Sequence, residues 1–66
     1  MDIVLNGEPR AARAGLTLAL LLDELGLAGK RLAVEVNRDI VPRGEHAMCV
    51  LRDGDRVEII HAIGGG

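Results

Sequence analysis

The chain holds 66 residues, enough for one domain and no second. Eight basic and ten acidic side chains are interspersed and give a net charge of −2, which argues against nucleic acid or an anionic membrane as the main partner. Phe, Tyr and Trp are absent, so single-stranded nucleic acid would find no stacking platform, and the lone Cys49 cannot close an internal disulfide.

Stability must come from aliphatic packing, because a chain this short buries only about 60% of the surface its unfolded form exposes. Met1, Ile3 and Leu5 alternate with Asp2, Val4 and Asn6, the period of a first strand with one purer apolar face. Asn6-Gly7-Glu8 predicts a tight hairpin turn, since Asn and Gly accept positive φ. The return strand runs through Pro9 toward Arg13, and Pro9 places its start at an edge because proline has no amide to donate.

Past Gly15 the period changes to 3.6. Thr17 is suited to cap a helix whose apolar stripe is Leu18, Leu21, Leu22 and Leu25. Gly26 suits the left-handed position just beyond it, with Leu27 packing back on Leu22. Leu16 to Leu22, the longest apolar stretch, is far too short to span a bilayer.

Leu32 to Val36 predicts a strand, Asn37-Arg38-Asp39 a turn, and Ile40-Val41 a short partner that Pro42 ends. Residues 43 to 50 read as irregular or a short helical turn, anchored inward by Ala47, Met48 and Val50. Asp53-Gly54-Asp55 is a turn, and Arg56 to His61 the last strand, with Val57 and Ile59 on one face.

The order β-β-α-β-β-β, with one apolar helix stripe to cover, predicts an α+β domain: a mixed sheet packed on one main helix, the ubiquitin-like β-grasp roll. It would occupy residues 1–61, leaving 62–66 as a flexible glycine tail. Gly64-Gly65-Gly66 offers nothing to pack and loses much entropy on ordering. What such a sequence does offer is an unhindered carboxylate on an extended leash that a partner's narrow channel could accept. On the tail alone, that reading and an inert frayed end stand level.

Leu5-Asn6-Gly7-Glu8, Thr17-Leu18 with Leu21-Leu22, Ala33-Val34-Glu35-Val36-Asn37, Val41-Pro42-Arg43 and Asp53-Gly54-Asp55-Arg56-Val57-Glu58-Ile59 form an ordered series ending in the glycines. In that order and spacing the chain resembles, end to end, the ThiS family of sulfur carriers from thiamine biosynthesis. The resemblance implies a protein co-substrate and not an enzyme. An E1-like adenylating enzyme would activate the Gly66 carboxylate with ATP, and a persulfide donor would turn it into a thiocarboxylate. Thiazole synthase would accept the sulfur. Gly64 and Gly65 would thread into the partner, and Ile60, Ala62 and Ile63 are the apolar candidates for contact with it. One departure stands out: the family often has a tryptophan shortly after the Pro-Arg pair, where this chain has His46.

The chain supplies no phosphate-binding loop, so the catalytic machinery and the ATP site belong to a partner, with no cofactor of its own. Cys49, flanked by Met48, Val50 and Leu51, reads as a small core hydrophobe, and His46 and His61 as surface or rim residues too far apart for a metal site. Arg10, Arg13, Lys30, Arg31 and Arg43 are dispersed as solvating charges are, although they could steer an acidic partner. The first residues, Met1-Asp2-Ile3-Val4, carry no signal-peptide pattern, and with the free thiol this points to the cytoplasm. Other readings remain open: a sulfur carrier for molybdopterin, cysteine or tRNA thiolation, a ubiquitin-like protein modifier, or an interaction module with an inert tail.

Overall fold

A computed structural model describes residues 1–61. β1 (Asp2–Leu5) and β2 (Glu8–Ala11) form an antiparallel hairpin in which Leu5 faces Glu8 and Val4 faces Pro9. Its two connecting residues, Asn6 (φ 49°) and Gly7 (φ 83°), are both left-handed. A two-residue turn needs that geometry to match the twist of the flanking strands. β2 lies at the sheet edge, where Pro9 leaves no interior ladder short of a donor.

The helix α1 (Leu18–Glu24) starts as its residues dictate: Thr17 is extended, and its hydroxyl accepts from the Leu20 amide at 3.2 Å. At the other end Gly26 turns left-handed (φ 74°). Its amide reaches the Asp23 carbonyl at 3.0 Å, and the Leu27 amide reaches the Leu22 carbonyl at 2.8 Å. Those two bonds are the Schellman closure expected of a glycine in that place. Arg13 pairs with Glu24 across the helix end.

β3 (Leu32–Val36), β4 (Asp39–Ile40) and β5 (Arg56–His61) complete a five-stranded sheet of order β2-β1-β5-β3-β4. β5 runs parallel to β1 and antiparallel to β3, so the last strand to form in sequence sits in the middle of the sheet. One sheet face contributes Ile3, Val34, Val57 and Ile59 to the core, and α1 contributes Leu18, Leu21 and Leu22. Leu16 and Leu51 close the core at the side. They are drawn together where Leu18 N–H donates to Cys49 and Leu51 N–H to Leu16, both at 2.9 Å. No helix among the described residues is long and apolar enough to cross a membrane.

The segment after Pro42 forms the short helical turn expected of it but buries different residues. Arg43–Met48 is a 3₁₀ helix, in which Met48 is 82% and Val50 54% exposed, and Ala47 is exposed too. Three residues per turn bring Arg43, His46 and Cys49 to one side, so His46 goes inward instead. Val50 lies in the short bridge to Thr17, and strand alternation turns it out while Leu51 turns in. His46 is accordingly buried and not a rim residue, and its Nε2–H donates to the Val41 carbonyl at 2.9 Å.

This packing separates two substitutions that hydropathy would treat alike. Leu21→Ala should lower unfolding free energy by about 2–5 kcal/mol, a large part of what a domain this small has. Met48→Ala should change it by less than about 0.5 kcal/mol. Urea titrations of both variants measure the difference.

Candidate functional site

The end of β5 is where the described structure meets the glycine segment. Ala62, Ile63, Gly64, Gly65 and Gly66, which include most of the expected contact and reactive positions, lie outside the described residues. What the structure shows is how their point of departure is held.

β5 is clasped by the two hairpin asparagines. On the β1 side, Asn6 donates its amide to the Val57 carbonyl at 2.9 Å, and its side-chain Oδ1 accepts from the Ile59 amide at 2.7 Å. On the β3 side, Asn37 donates its amide to the Arg56 carbonyl at 2.8 Å, and its Oδ1 accepts from the Arg56 amide at 3.0 Å. Both asparagines are left-handed, at φ 49° and 52°. Their backbones therefore turn away from the sheet just where a regular ladder would need another carbonyl. The side-chain amide supplies that acceptor, which explains why asparagine serves where glycine would satisfy the turn alone.

The Asp53-Gly54-Asp55 turn anchors the start of the same strand. Asp53 Oδ1 accepts from the Asp2 amide at 2.7 Å, and Gly54 donates to the Asp2 carbonyl at 2.7 Å. Asp55 accepts from Asn37 Nδ2 at 3.0 Å and from the Arg52 amide at 2.8 Å. Both carboxylates are thus engaged as turn acceptors, in keeping with the sequence reading of this segment as a turn.

Ile60 stands on the outer sheet face, 51% exposed, beside Ala33 in register. Arg31 and Arg43 border it around a shallow hollow of about 400 Å³. Next to that, Leu22, Leu27, Lys30, Leu32, Arg43 and His46 line a second hollow of about 290 Å³, where Arg43 Nη2 donates to the Lys30 carbonyl at 2.9 Å. Sequence reasoning missed His46 as a packing residue. The available signal was its spacing of three from Arg43 and Cys49, which puts all three on one side of a 3₁₀ turn.

Cys49 is half-buried and packs on the core, as a small hydrophobe does. Burial pushes its thiol up from the ordinary range, and the carboxylates of Asp55 and Glu45 add to the shift. That shift runs opposite to the one that activates a cysteine nucleophile.

One helix wrapped by a five-stranded mixed sheet, with the last strand central, defines the ubiquitin-like β-grasp class. A profile of the ThiS family matches residues 3–66. The crystal structure of a thiamine biosynthesis protein (ThiS) from Geobacter metallireducens superposes with a TM-score of 0.86 at 30% identity, covering all of both chains. The sulfur carrier protein ThiS of Escherichia coli (strain K12) is 33% identical over 66 residues, again the whole of both chains. A protein named thiazole synthase from Magnetococcus marinus is 50% identical over the same 66 residues, which make up only 20% of its length. The chain belongs to the ThiS family.

Two measurements check this account of the site. Asn6→Gly keeps the turn but strands the Ile59 amide, and should cost about 1–3 kcal/mol in urea denaturation, while Asn6→Asp, which keeps an oxygen there, should lose less. Alkylation of Cys49 by iodoacetamide should reach half-maximal rate at a higher pH than an unfolded control, because the folded thiol holds its proton longer. An equal or lower midpoint would contradict the burial.

Proposed function

We propose that this protein is a sulfur carrier for thiazole formation in thiamine biosynthesis, working as a co-substrate in the cytoplasm, with Gly66 as the reacting residue. The observation that carries the reading is end-to-end similarity to a protein named as a sulfur carrier, over the whole length of both chains. The match to a protein named thiazole synthase supports that enzyme as the acceptor, because a carrier-like segment there shares a polypeptide with the acceptor's name.

The chemistry follows from the poor electrophilicity of a carboxylate. One Gly66 carboxylate oxygen attacks the α-phosphorus of ATP, forming an acyl–phosphate bond and releasing pyrophosphate. The terminal sulfur of a persulfide then attacks the acyl carbon, and AMP leaves with the oxygen. A thiol reduces the resulting acyl disulfide and frees the thiocarboxylate. The partner positions the phosphates and neutralises their charge. This chain contributes the acyl group, a tail of Gly64 and Gly65 without Cβ atoms to crowd a channel, and a docking face.

Ordering the tail costs about 1–2 kcal/mol of backbone entropy per residue, which contacts from the folded body must offset. Ile60, exposed beside Ala33, is the apolar contact we assign on the described face, and Ala62 and Ile63 continue from it.

Incubation with the cognate activating enzyme, ATP and a persulfide donor, followed by intact mass measurement, tests the reading. The expected product has one oxygen replaced by sulfur, and deletion of Gly66 abolishes it. Lysine-linked conjugates without sulfur incorporation would instead mark a protein modifier. Ile63→Asp should raise the KM of activation, and unchanged kinetics would remove Ile63 from the docking face.

A further inference from the structure

The parallel ladder between β1 and β5 stops one rung short of the end of β5. In a parallel pair, a single residue bridges two residues of its neighbour, donating its amide to one carbonyl and accepting the amide two residues on. Val4, opposite Arg56, bridges residues 55 and 57 in this way, with its amide 2.9 Å from the Asp55 carbonyl. Asn6 forms the next rung across Val57 and Ile59, using its side-chain oxygen in place of its carbonyl because its backbone has already turned into the hairpin.

The following rung would join the Ile59 carbonyl and the His61 amide. Strand alternation aims both of these groups to the β1 side, since residues 56, 58 and 60 serve β3. Neither has a hydrogen-bond partner among the described residues. β1 cannot supply one, because Gly7 and Glu8 lead the chain back down β2.

We propose that an extended segment of the activating enzyme takes this rung, adding to the sheet as a short parallel strand in line with β1. This rests on the carrier reading above and names how its partner holds the root of the tail. The backbone chemistry selects the occupant. One residue of an extended peptide, placed opposite Ile60, satisfies the Ile59 carbonyl with its amide and the His61 amide with its carbonyl. An antiparallel strand there would aim one of its carbonyls at the Ile59 amide, which Asn6 already holds, and leave that carbonyl unpaired. Register puts the incoming side chain on the outer face beside Ile60, so an apolar residue is expected there. Main-chain pairing at His61 would orient the chain that leads through Ala62 and Ile63 to the glycines.

Two measurements with the cognate ATP-dependent activating enzyme test the proposal. In the free protein the His61 amide should exchange with solvent quickly and the Ile59 amide slowly, and the enzyme should protect His61. His61→Pro removes the amide while leaving the β3 ladder intact. It should weaken the complex about tenfold, whereas His61→Ala should change it by less than about twofold. Thermal unfolding of both free variants confirms that the fold survives. If wild-type protein binds and gains sulfur while the His61 amide still exchanges freely, or if His61→Pro binds like His61→Ala, strand addition is overturned and the carrier reading stands. If wild-type protein neither binds nor gains sulfur, the carrier reading fails and takes this proposal with it.

Discussion

The fold turns on the insertion of β5 between β1 and β3. A strand from the far end of the chain must reach the middle of the sheet, pair parallel on one side and antiparallel on the other, and bring Val57 and Ile59 onto the core. Until it does so, the β1–β2 hairpin and the β3–β4 pair have no common sheet, and the apolar stripe of α1 has only part of a surface to cover. The long-range pairing is entropically costly to form. Its return is spread over two ladders, two asparagine side chains and the aspartate turn that links Asp2 to Gly54.

The same arrangement explains how a small domain without aromatics, disulfide or described metal cluster holds together. The core is a single layer of branched aliphatic side chains between one helix and one sheet face. The site we propose lies where β5 leaves the sheet, away from that core. Because β5 is central, Arg56 to Ile59 are held on both sides, and among the described residues of β5 only Ile60 and His61 lack a neighbour on the β1 side.

Much of this was legible in the residues. The turn asparagines, the cap at Thr17, the glycine at position 26 and the alternation in β1, β3 and β5 each follow from local chemistry. Local chemistry therefore placed those elements with their bounds nearly right. Residues 43 to 50 do hold the short helical turn expected of them, but hydropathy has no period of its own in a 3₁₀ helix, so Ala47, Met48 and Val50 face out where they were expected to face in. His46 is polar by composition yet fills an inward position once its Nε2–H reaches the Val41 carbonyl. Leu16 and Leu51 entered the core through a two-residue bridge between distant segments, which leaves no periodic trace.

By itself the sequence determined the element order, the helix and its caps, the hairpin turns, and a glycine-rich segment whose proposed use rests on the family resemblance. These are local or compositional properties, set by φ preferences, amphipathic period and the missing Cβ of glycine. Only the tertiary structure decided that β5 is central, that Asn6 and Asn37 lend their side chains to its amides, and that the ladder ends with the Ile59 carbonyl and His61 amide facing outward. Those outcomes depend on which segments meet across the sheet and in what register. That register is a property of the packed whole, and no single stretch of the chain encodes it.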